Sequence, residues 1–279
     1  MINPTEKTKT FYNKLHVIHD DGIDLDNSIP IHSWWDLDVE FFIDKVILEA
    51  GCGGIGTQAI QLYSYRPSEL LVIDLSSDNI ATASKNIFQV FPEPNNMTLK
   101  TLDLGSELLP KEKFDIIHHR GVFQHIEKKD FAIHNFFQSL KPGGYLIVAA
   151  YGKGGLFAYS LLILRKIFHW IPEKLMFRLL KLIVSSTDLV SGIIDHLYVP
   201  IETRYTHKEF EEFFCKRGFK IYKDLNDRKF DFTKIKINFK NKLFKLWTIK
   251  LNPLSLQRWK FITYLLFGQY GNYYIFKKE

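Results

Sequence analysis

Hydrophobic residues between Lys45 and Tyr151 fall into short apolar runs that alternate with segments of helical spacing. Five segments are predicted to be strands: residues 46–48, 70–73, 97–102, 114–117 and 145–150, most of them near-continuously apolar. Strands that are apolar on both faces and interleaved with helices are typical of a parallel sheet covered on both sides. Right-handed crossovers between such strands produce a doubly wound α/β sheet, and this is the predicted core.

The segments between these strands carry helix and turn signals. Ser76 and Ser77 are suited to cap a helix that follows the second strand, and further helices are predicted near 57–63 and 130–140. Residues 141–144, with the sequence KPGG, predict a tight turn, because proline fixes φ and glycine supplies a positive φ.

The regular alternation breaks after Tyr151 and returns at Thr206. Thr206 and Glu209 have the spacing of a capping box, and Gly218 is placed to end the helix that they begin. Two further strands are predicted over 219–222 and 273–276, which completes a seven-stranded, mostly parallel sheet. The chain then divides into an N-terminal arm (1–44), the core (45–151), an apolar and basic helical cap (152–205) and the C-terminal part of the core (206–279). This last part contains a basic, aromatic insertion at 227–271.

The composition, with 46% hydrophobic and 24% charged residues, is that of a globular protein and excludes a disordered chain. Two cysteines cannot form a disulfide framework or a four-cysteine zinc site. The polar N-terminus lacks the pattern of a signal peptide, and the longest uncharged apolar run is about half the ~20 residues that span a bilayer. We therefore expect a cytoplasmic protein.

Charge is distributed unevenly between the two halves of the chain. Residues 1–150 carry 13 Lys and Arg against 20 Asp and Glu, a net charge of −7, whereas residues 151–279 carry 24 against 11, a net charge of +13. A basic half suggests an anionic partner, and a solvated basic face is the alternative. Because its cations are spread among apolar stretches, we expect peripheral contact with an anionic membrane or an anionic substrate in preference to nucleic acid.

A glycine-rich turn, EAGCGGIG (residues 49–56), lies between the first strand and its helix. Gly51, Gly53 and Gly56 match the fingerprint of a nicotinamide dinucleotide site, with Asp74 placed 18 residues later to bind a ribose diol. The same turn suits S-adenosylmethionine (SAM). The carboxylate of Glu49 favours SAM, because it attracts a cationic amino group and opposes a pyrophosphate.

Five segments, VILEAGCGGIG, LLVIDLS, TLDLG, FDIIHHRGVFQHI and LKPGGYLIV, occur in that order and together resemble the class I SAM-dependent methyltransferases. The resemblance covers about 45–151 and the helix and strand near 206–226, and it implies a Rossmann-like fold with SAM as the cofactor. One departure concerns the turn itself, where Gly54 precedes Ile55 and the last glycine is displaced from the G-x-G-x-G pattern of the family.

The resemblance implies roles for several residues. Gly51 and Gly53 would lie under the methionine part of SAM, Asp74 would bind the ribose hydroxyls, and Asp103 would accept a hydrogen bond from the adenine amino group. The full set of expected cofactor-binding residues is Glu49, Gly51, Cys52, Gly53, Asp74, Leu75, Asp103, Leu104 and Arg120. Segments of the N-terminal arm cover the cofactor in the family, and Tyr12, Trp34 and Trp35 are candidates for this role here.

His125 is the candidate general base, because a histidine suits proton transfer near neutral pH and GVFQHI resembles a family segment that reads GVLHH. A helix-capping or packing role is the alternative for this histidine. Tyr151 and Arg204 are candidate substrate contacts, with an exposed loop arginine as the alternative for Arg204. No metal site is expected, because strand alternation directs His118 and His119 to opposite faces.

The sequence therefore predicts a SAM-dependent methyltransferase that acts on a small molecule, with a hydroxyl of a glycan, a lipid-linked compound or an apolar metabolite as the expected acceptor. Three alternatives remain open at this point: a methyltransferase for RNA or another nucleic acid that uses the basic half, a SAM-fold interaction module without catalytic activity, and an NAD-dependent oxidoreductase.

Overall fold

A computed structural model describes residues 3–16, 29–184, 187–226 and 271–279 of the chain. Its seven strands form one sheet in the order β3-β2-β1-β4-β5-β7-β6. The strands are β1 (Val46–Ala50), β2 (Glu69–Asp74), β3 (Met97–Thr101), β4 (Phe114–Arg120), β5 (Leu140–Tyr151), β6 (Phe219–Asp224) and β7 (Gly271–Lys278). The first five are parallel, and β7 runs antiparallel to both β5 and β6. The predicted seven-stranded, mostly parallel sheet is confirmed.

Helices precede, connect and follow these strands. The α-helices are α1 (Pro4–His16), α2 (Ile31–Trp35), α3 (Thr57–Ser64), α4 (Ser77–Val90), α5 (Lys129–Ser139), α6 (Gly155–Phe168), α7 (Glu173–Ile183), α8 (Thr187–Tyr198) and α9 (His207–Cys215), and short 3-10 turns occupy Val39–Phe41 and Phe123–His125. Ser76 caps α4 through its hydroxyl, as predicted, and the Thr206–Glu209 capping box begins α9.

Alternating strand residues enter two separate cores, one on each face of the sheet. On β1, Leu48 faces a core that includes α5 and α9, whereas Ile47 faces a core that includes α2, α3 and α4. On β4, Ile117 and Ile116 divide in the same way. A sheet buried on both faces requires apolar residues at successive strand positions, which explains the continuous apolar runs.

Two local predictions are corrected by the structure. The tight turn expected at 141–144 is absent, because these residues form part of β5. They make a bulge in its pairing with β4: Phe114 pairs with Leu140, but Ile116, two residues later, pairs with Tyr145, five residues later. The positive φ expected of a glycine there is present at Gly143. The fourth strand continues to Arg120, beyond the predicted end at residue 117, so that it carries both His118 and His119.

The cap consists of α6, α7 and α8, with α6 and α7 each packed against α8. Phe11 of α1 joins Met176, Phe177 and Ile194 of the cap in a third apolar core. The N-terminal helix and the cap are thereby packed together above the carboxyl ends of the strands. The basic, aromatic insertion predicted at 227–271 lies outside the described residues, apart from Gly271 at the start of β7.

Candidate active site

A cavity of about 350 Å³ lies at the carboxyl ends of β1, β2 and β4. The strand order reverses between β1 and β4, and ligands of open α/β sheets bind at such a switch point. Nine of the predicted site residues line this cavity: Gly51, Cys52, Gly53, Asp74, Leu75, Asp103, Leu104, Arg120 and His125. Glu49, Tyr151 and Arg204 are not among the residues that line it.

The glycine turn approaches its neighbours too closely for a side chain at its first position. Gly51 has a φ of +101°, and a Cβ atom placed there would lie 2.3 Å from Cγ2 of Val122. Gly53 also has a positive φ, but a Cβ atom there would meet nothing within 4 Å. The turn therefore presents bare backbone to the cavity at Gly53, where a ligand can approach the main chain.

Asp74 holds the turn in place from the end of β2. Its Oδ2 atom accepts a hydrogen bond from the Gly53 amide (3.0 Å), and its Oδ1 atom accepts from the Ser76 amide (2.9 Å) and the Asn79 side chain (3.0 Å). A carboxylate can accept about four hydrogen bonds, so Asp74 keeps capacity for a ligand hydroxyl. Burial raises the pKa of Asp74, and the three donors oppose that effect.

The loop after β3 is organised by Asp103. Its two carboxylate oxygens accept hydrogen bonds from the Gly105 amide (2.8 Å) and the Ser106 hydroxyl (2.7 Å). Leu104 is buried beside it and lines the cavity. The loop thus combines a polar group and an apolar surface, which are the two features that recognise a purine ring.

Glu49 is fully buried behind the turn. His118 donates to its Oε2 atom from Nδ1 (2.6 Å), because Nε2 of His118 accepts from the indole N–H of Trp35 (3.1 Å). The Oε1 atom of Glu49 has no hydrogen-bond partner among the described residues. Arg120, two residues after His118 on β4, stacks its guanidinium on the ring of Trp34 at 4.1 Å. Burial lowers the pKa of Arg120.

Of the three aromatic residues expected to cover the cofactor, Tyr12 alone lines the cavity; Trp34 packs under Arg120, and Trp35 is buried against His118. Helix α1 closes this side of the cavity with Thr5, Thr8 and Tyr12.

His125 lies in the 3-10 turn after β4 and is almost completely buried. Its Nδ1 atom donates to the carbonyl of Ile201 (2.7 Å), and its Nε2 atom lies 3.4 Å from Oδ2 of Asp195 and 3.1 Å from Nε2 of Gln124. The Gln124 amide donates to the carbonyl of Gly121, which fixes its orientation. Burial lowers the pKa of His125, but the Asp195 carboxylate outweighs this effect and the net pKa is raised.

Asp195, which the sequence did not single out, is the centre of this end of the cavity. It extends from α8 of the cap, and its two oxygens accept hydrogen bonds from the hydroxyls of Tyr12 and Tyr151, both at 2.8 Å. Although burial opposes ionisation, His125 and the two hydroxyls lower the pKa of Asp195 to about 2. The available signal was a lone acid in the apolar segment SGIIDHLY, because a charge on an apolar helix face requires a partner.

Tyr151 and Arg204 support this cluster from outside the cavity. Burial and the Asp195 carboxylate raise the pKa of Tyr151 well above its usual value, so its hydroxyl stays a donor. Arg204 is paired with Glu202 at 2.7 Å and lies over the Tyr151 ring at 5.3 Å. Their role as substrate contacts stays a prediction.

His118 and His119 diverge, as strand alternation predicts. The Nδ1 atom of His119 donates to the carbonyl of Ala50 (2.6 Å), and burial lowers the pKa of His119 to about 4. Within the described parts of the chain, no three His, Cys, Asp or Glu side chains are grouped as metal ligands.

Known proteins resemble this chain in sequence and in fold. Residues 48–146 match the family model of a methyltransferase domain. A ubiquinone biosynthesis O-methyltransferase of Rickettsia typhi is 25% identical over 168 residues, which cover 51% of this chain and 65% of that protein. Phosphoethanolamine N-methyltransferase 1 of Triticum aestivum is 28% identical over 117 residues, 39% of this chain and 23% of that protein. The matches thus span less than two thirds of either relative.

Among solved structures, magnesium protoporphyrin IX methyltransferase of Synechocystis, with bound S-adenosylhomocysteine (SAH), superposes with a TM-score of 0.57. The match covers 99% of this chain and all of that chain at 14% identity, and at this identity it concerns the fold. The strand order, the cavity at the switch point and the matched domain agree with one another. Residues 48–146 are therefore a methyltransferase domain with the Rossmann-like fold of the class I SAM-dependent enzymes, and SAM is the cofactor of that domain.

Proposed function

We propose that this chain transfers a methyl group from SAM to a hydroxyl of a small-molecule acceptor, with His125 as the general base. The observation that carries this proposal is the His125–Asp195 pair, which lies in the same cavity as the glycine turn. A sulfonium leaving group needs no protonation, so a base is useful only for the acceptor. A buried histidine with a carboxylate partner therefore points to an acceptor that loses a proton, as a hydroxyl does.

The cavity walls fit SAM, whose contribution when bound is a methyl group made electrophilic by the sulfonium. The bare backbone at Gly53 and the remaining acceptor capacity of Asp74 suit the cofactor's backbone contacts and ribose hydroxyls. Behind the glycine turn, outside the cavity lining itself, the Oε1 atom of Glu49 has no partner among the described residues; since buried polar atoms rarely lack one, we assign it as the acceptor for the amino group. Arg120 supplies a cation for a carboxylate at the cavity wall.

Hydrogen bonds around His125 select the tautomer that a base requires. Nδ1 donates to the Ile201 carbonyl, so it carries the proton of the neutral ring. Nε2 then carries the basic lone pair, which faces the Gln124 amide and Asp195. A proton that arrives at Nε2 creates an imidazolium beside a carboxylate, and this attraction favours proton transfer from the acceptor.

Asp195 acts on this proton transfer as a positioning residue. The hydroxyls of Tyr12 and Tyr151 hold the two carboxylate oxygens, and the rings of both tyrosines contact the His125 ring edge-on, with centroids 5.8 and 5.7 Å away. These aromatic walls exclude water from the ring and strengthen the electrostatic interaction. In hydrolases the orienting carboxylate holds Nδ1 of the histidine base, whereas here the Ile201 carbonyl takes that place and Asp195 lies beside Nε2, the nitrogen that receives the proton.

A small acceptor is supported by the enclosure of the cavity. Helix α1 and helix α8 both contribute lining residues, among them Thr8, Tyr12, Gly192 and Asp195. A cavity of about 350 Å³ that is bounded by helices above the strand ends suits a small molecule in preference to a folded polymer.

The test uses purified protein, SAM and a panel of phenols and catechols, with SAH formation as the signal of turnover. His125→Asn retains a side-chain donor for the Ile201 carbonyl but cannot act as a base. We expect it to lose about 10²- to 10⁴-fold in kcat and to keep its affinity for SAM. His134→Asn, on the exposed side of α5, is the matched control and should behave as wild type.

Two outcomes would contradict this proposal. Turnover that His125→Asn leaves unchanged would exclude His125 as the base. Tight binding of SAM with no turnover on any acceptor of the panel would favour the interaction module that the sequence left open.

A further inference from the structure

The cap has an exposed apolar surface, whose side chains are not buried by the packing of the cap helices on one another. The cap hairpin consists of α6, α7 and the residues between them, 155–183. Ala158 and Leu161 of α6 are buried, and so are Met176 and Phe177 of α7, because both helices pack on α8. One apolar stripe of each helix is therefore buried where the helix packs on the rest of the cap.

A second stripe on each helix is apolar and faces outward. Of the sixteen large hydrophobic side chains that are exposed in the described residues, ten lie in this hairpin: Leu156, Tyr159, Leu162, Ile163, Ile167, Trp170, Leu175, Leu179, Leu182 and Ile183. The spacing of Leu175, Leu179 and Leu182 is that of one helix face. We call these ten residues the outer stripe. So large a cluster marks an interaction surface, since single exposed hydrophobic residues are common and contiguous ones are not.

The charges around the outer stripe identify the kind of partner. Residues 155–184 contain five Lys and Arg and a single acid, Glu173. Lys166, Lys174 and Arg178 are exposed on the same two helices as the outer stripe. A surface that combines an apolar stripe with cations and few acids is complementary to an anionic lipid surface, where apolar side chains enter the acyl boundary and cations meet the head groups.

Aromatic side chains support the same partner. Trp170, in the turn between the two helices, is 72% exposed, and Tyr159 is exposed on α6. Tryptophan and tyrosine favour the boundary between head groups and acyl chains, because one end of each ring system is apolar and the other is polar.

The helices are too short to enter a bilayer further than its surface. At 1.5 Å per residue, the 14 residues of α6 and the 11 of α7 span about 21 and 17 Å, against a hydrocarbon core of about 30 Å. In the parts of the chain that are described, no helix has the length and apolar character to cross a membrane. We propose that the outer stripe of the cap hairpin docks the protein on the surface of an anionic membrane.

Flotation of the full chain with lipid vesicles tests this proposal without reference to methyl transfer. The vesicles consist of phosphatidylcholine alone or of phosphatidylcholine mixed with phosphatidylglycerol. We expect flotation with the mixed vesicles, weakening as salt is raised, and little flotation with phosphatidylcholine alone. The Trp170 fluorescence should be quenched by brominated lipid in the mixed vesicles, and Trp170→Phe should remove that part of the quenching.

Two pairs of variants distinguish docking by this surface from general attraction. Leu182→Asp should weaken binding at least about tenfold, while Leu108→Asp should not change it, although the two leucines are 71% and 74% exposed. Lys174→Gln with Arg178→Gln should weaken binding about fivefold for each cation removed. Lys85→Gln with Lys111→Gln, which removes the same charge from other exposed positions, should have less than about a twofold effect.

Three results would overturn the proposal. The first is the absence of flotation with anionic vesicles. The second is flotation that Leu182→Asp leaves unchanged, which would place lipid binding elsewhere in the chain. The third is a dimer in lipid-free solution that Leu182→Asp dissociates, because a second copy of the chain would then be the partner of the outer stripe. Circular dichroism of every variant confirms that the fold is retained.

Discussion

Replacing Asp195 by Asn should lower the pKa of His125 and slow methyl transfer while the shape of the site is retained. The amide oxygen can still accept one tyrosine hydroxyl, but the negative charge near Nε2 of His125 is lost. Asp195 raises the pKa of His125 in two ways, through the attraction of its negative charge and through a hydrogen bond. Burial, which lowers this pKa, is then opposed mainly by the Ile201 carbonyl and Glu202.

The distance between the two groups sets the size of the effect. At an effective dielectric constant of about 20, unit charges 3.4 Å apart attract each other by about 5 kcal/mol. If about half of the charge has developed on His125 in the transition state, the loss is about 2 to 3 kcal/mol, or about 10²-fold in kcat. In the resting enzyme, the loss of the carboxylate at this distance should lower the His125 pKa, because Asp195 supplies the largest of the influences that raise it.

Two measurements check this prediction. The first is NMR titration of the histidine ring signals in wild type and Asp195→Asn, with the His125 signal assigned by its absence in His125→Asn. It needs no acceptor, and the signal of exposed His134 serves as an internal control. The second is the pH dependence of kcat/KM, whose acidic limb should lie above pH 6.5 in wild type, because His125 must lose its proton to act, and should move to lower pH in the variant.

A His125 pKa that stays the same or rises in Asp195→Asn would refute the reasoning. It would mean that the carboxylate does not face the imidazole in solution. Tyr151→Phe provides a graded comparison, because it removes one hydrogen bond to Asp195 and keeps the charge. Its effect on the His125 pKa should therefore be smaller than that of Asp195→Asn.

Three stability predictions follow from other parts of the fold, each measured by urea denaturation. Gly51→Ala should cost about 3 kcal/mol, from the positive φ and the contact with Val122, and Val122→Ala should restore part of that loss in the double variant. Burial lowers the pKa of His119 from 6.5 in the unfolded chain to about 4, so that the unfolded chain binds an extra proton between these pH values. The free energy of unfolding should therefore fall by about 3 kcal/mol as the pH falls from 6.5 to 4. His119→Asn should make the free energy of unfolding less dependent on pH over this range. Thr206→Ala should cost about 1 kcal/mol by removing the capping box of α9, and an unchanged midpoint would exclude that role.

The sequence predicted the sheet well because buried parallel strands leave a strong local signal. The runs in β1, β2 and β5 are apolar at successive positions, and each helix start that was predicted from a cap, at Ser76 and Thr206, is present. The looped-out residues 141–144 were misjudged because the local signals of proline and glycine describe a chain reversal. Instead, the residues that flank this segment pair with neighbouring strands, Leu140 with β4 and Tyr145 with both β4 and β7, and this keeps the segment within β5.

The cofactor end of the site was also predictable, because its residues lie on contiguous segments at strand ends. Asp74 and Asp103 each follow or end a strand, and the topology brings strand ends together. The acceptor end was not predictable in the same way. Tyr12, His125, Tyr151 and Asp195 meet only because α1 and α8 fold over the sheet, and nothing in their sequence spacing indicates that contact.

Binding of SAM to the cavity through Asp74 is the central claim, and thermal unfolding with added ligand tests it most directly. SAM or SAH at about 100 times its dissociation constant should add about 2.7 kcal/mol and raise the Tm by about 5 °C, whereas NAD should have no effect. Asp74→Asn should reduce that rise, and Asp78→Asn, an exposed acid one turn away, should leave it intact. A Tm that responds to NAD and not to SAM, or a response to SAM that Asp74→Asn does not weaken, would contradict the account.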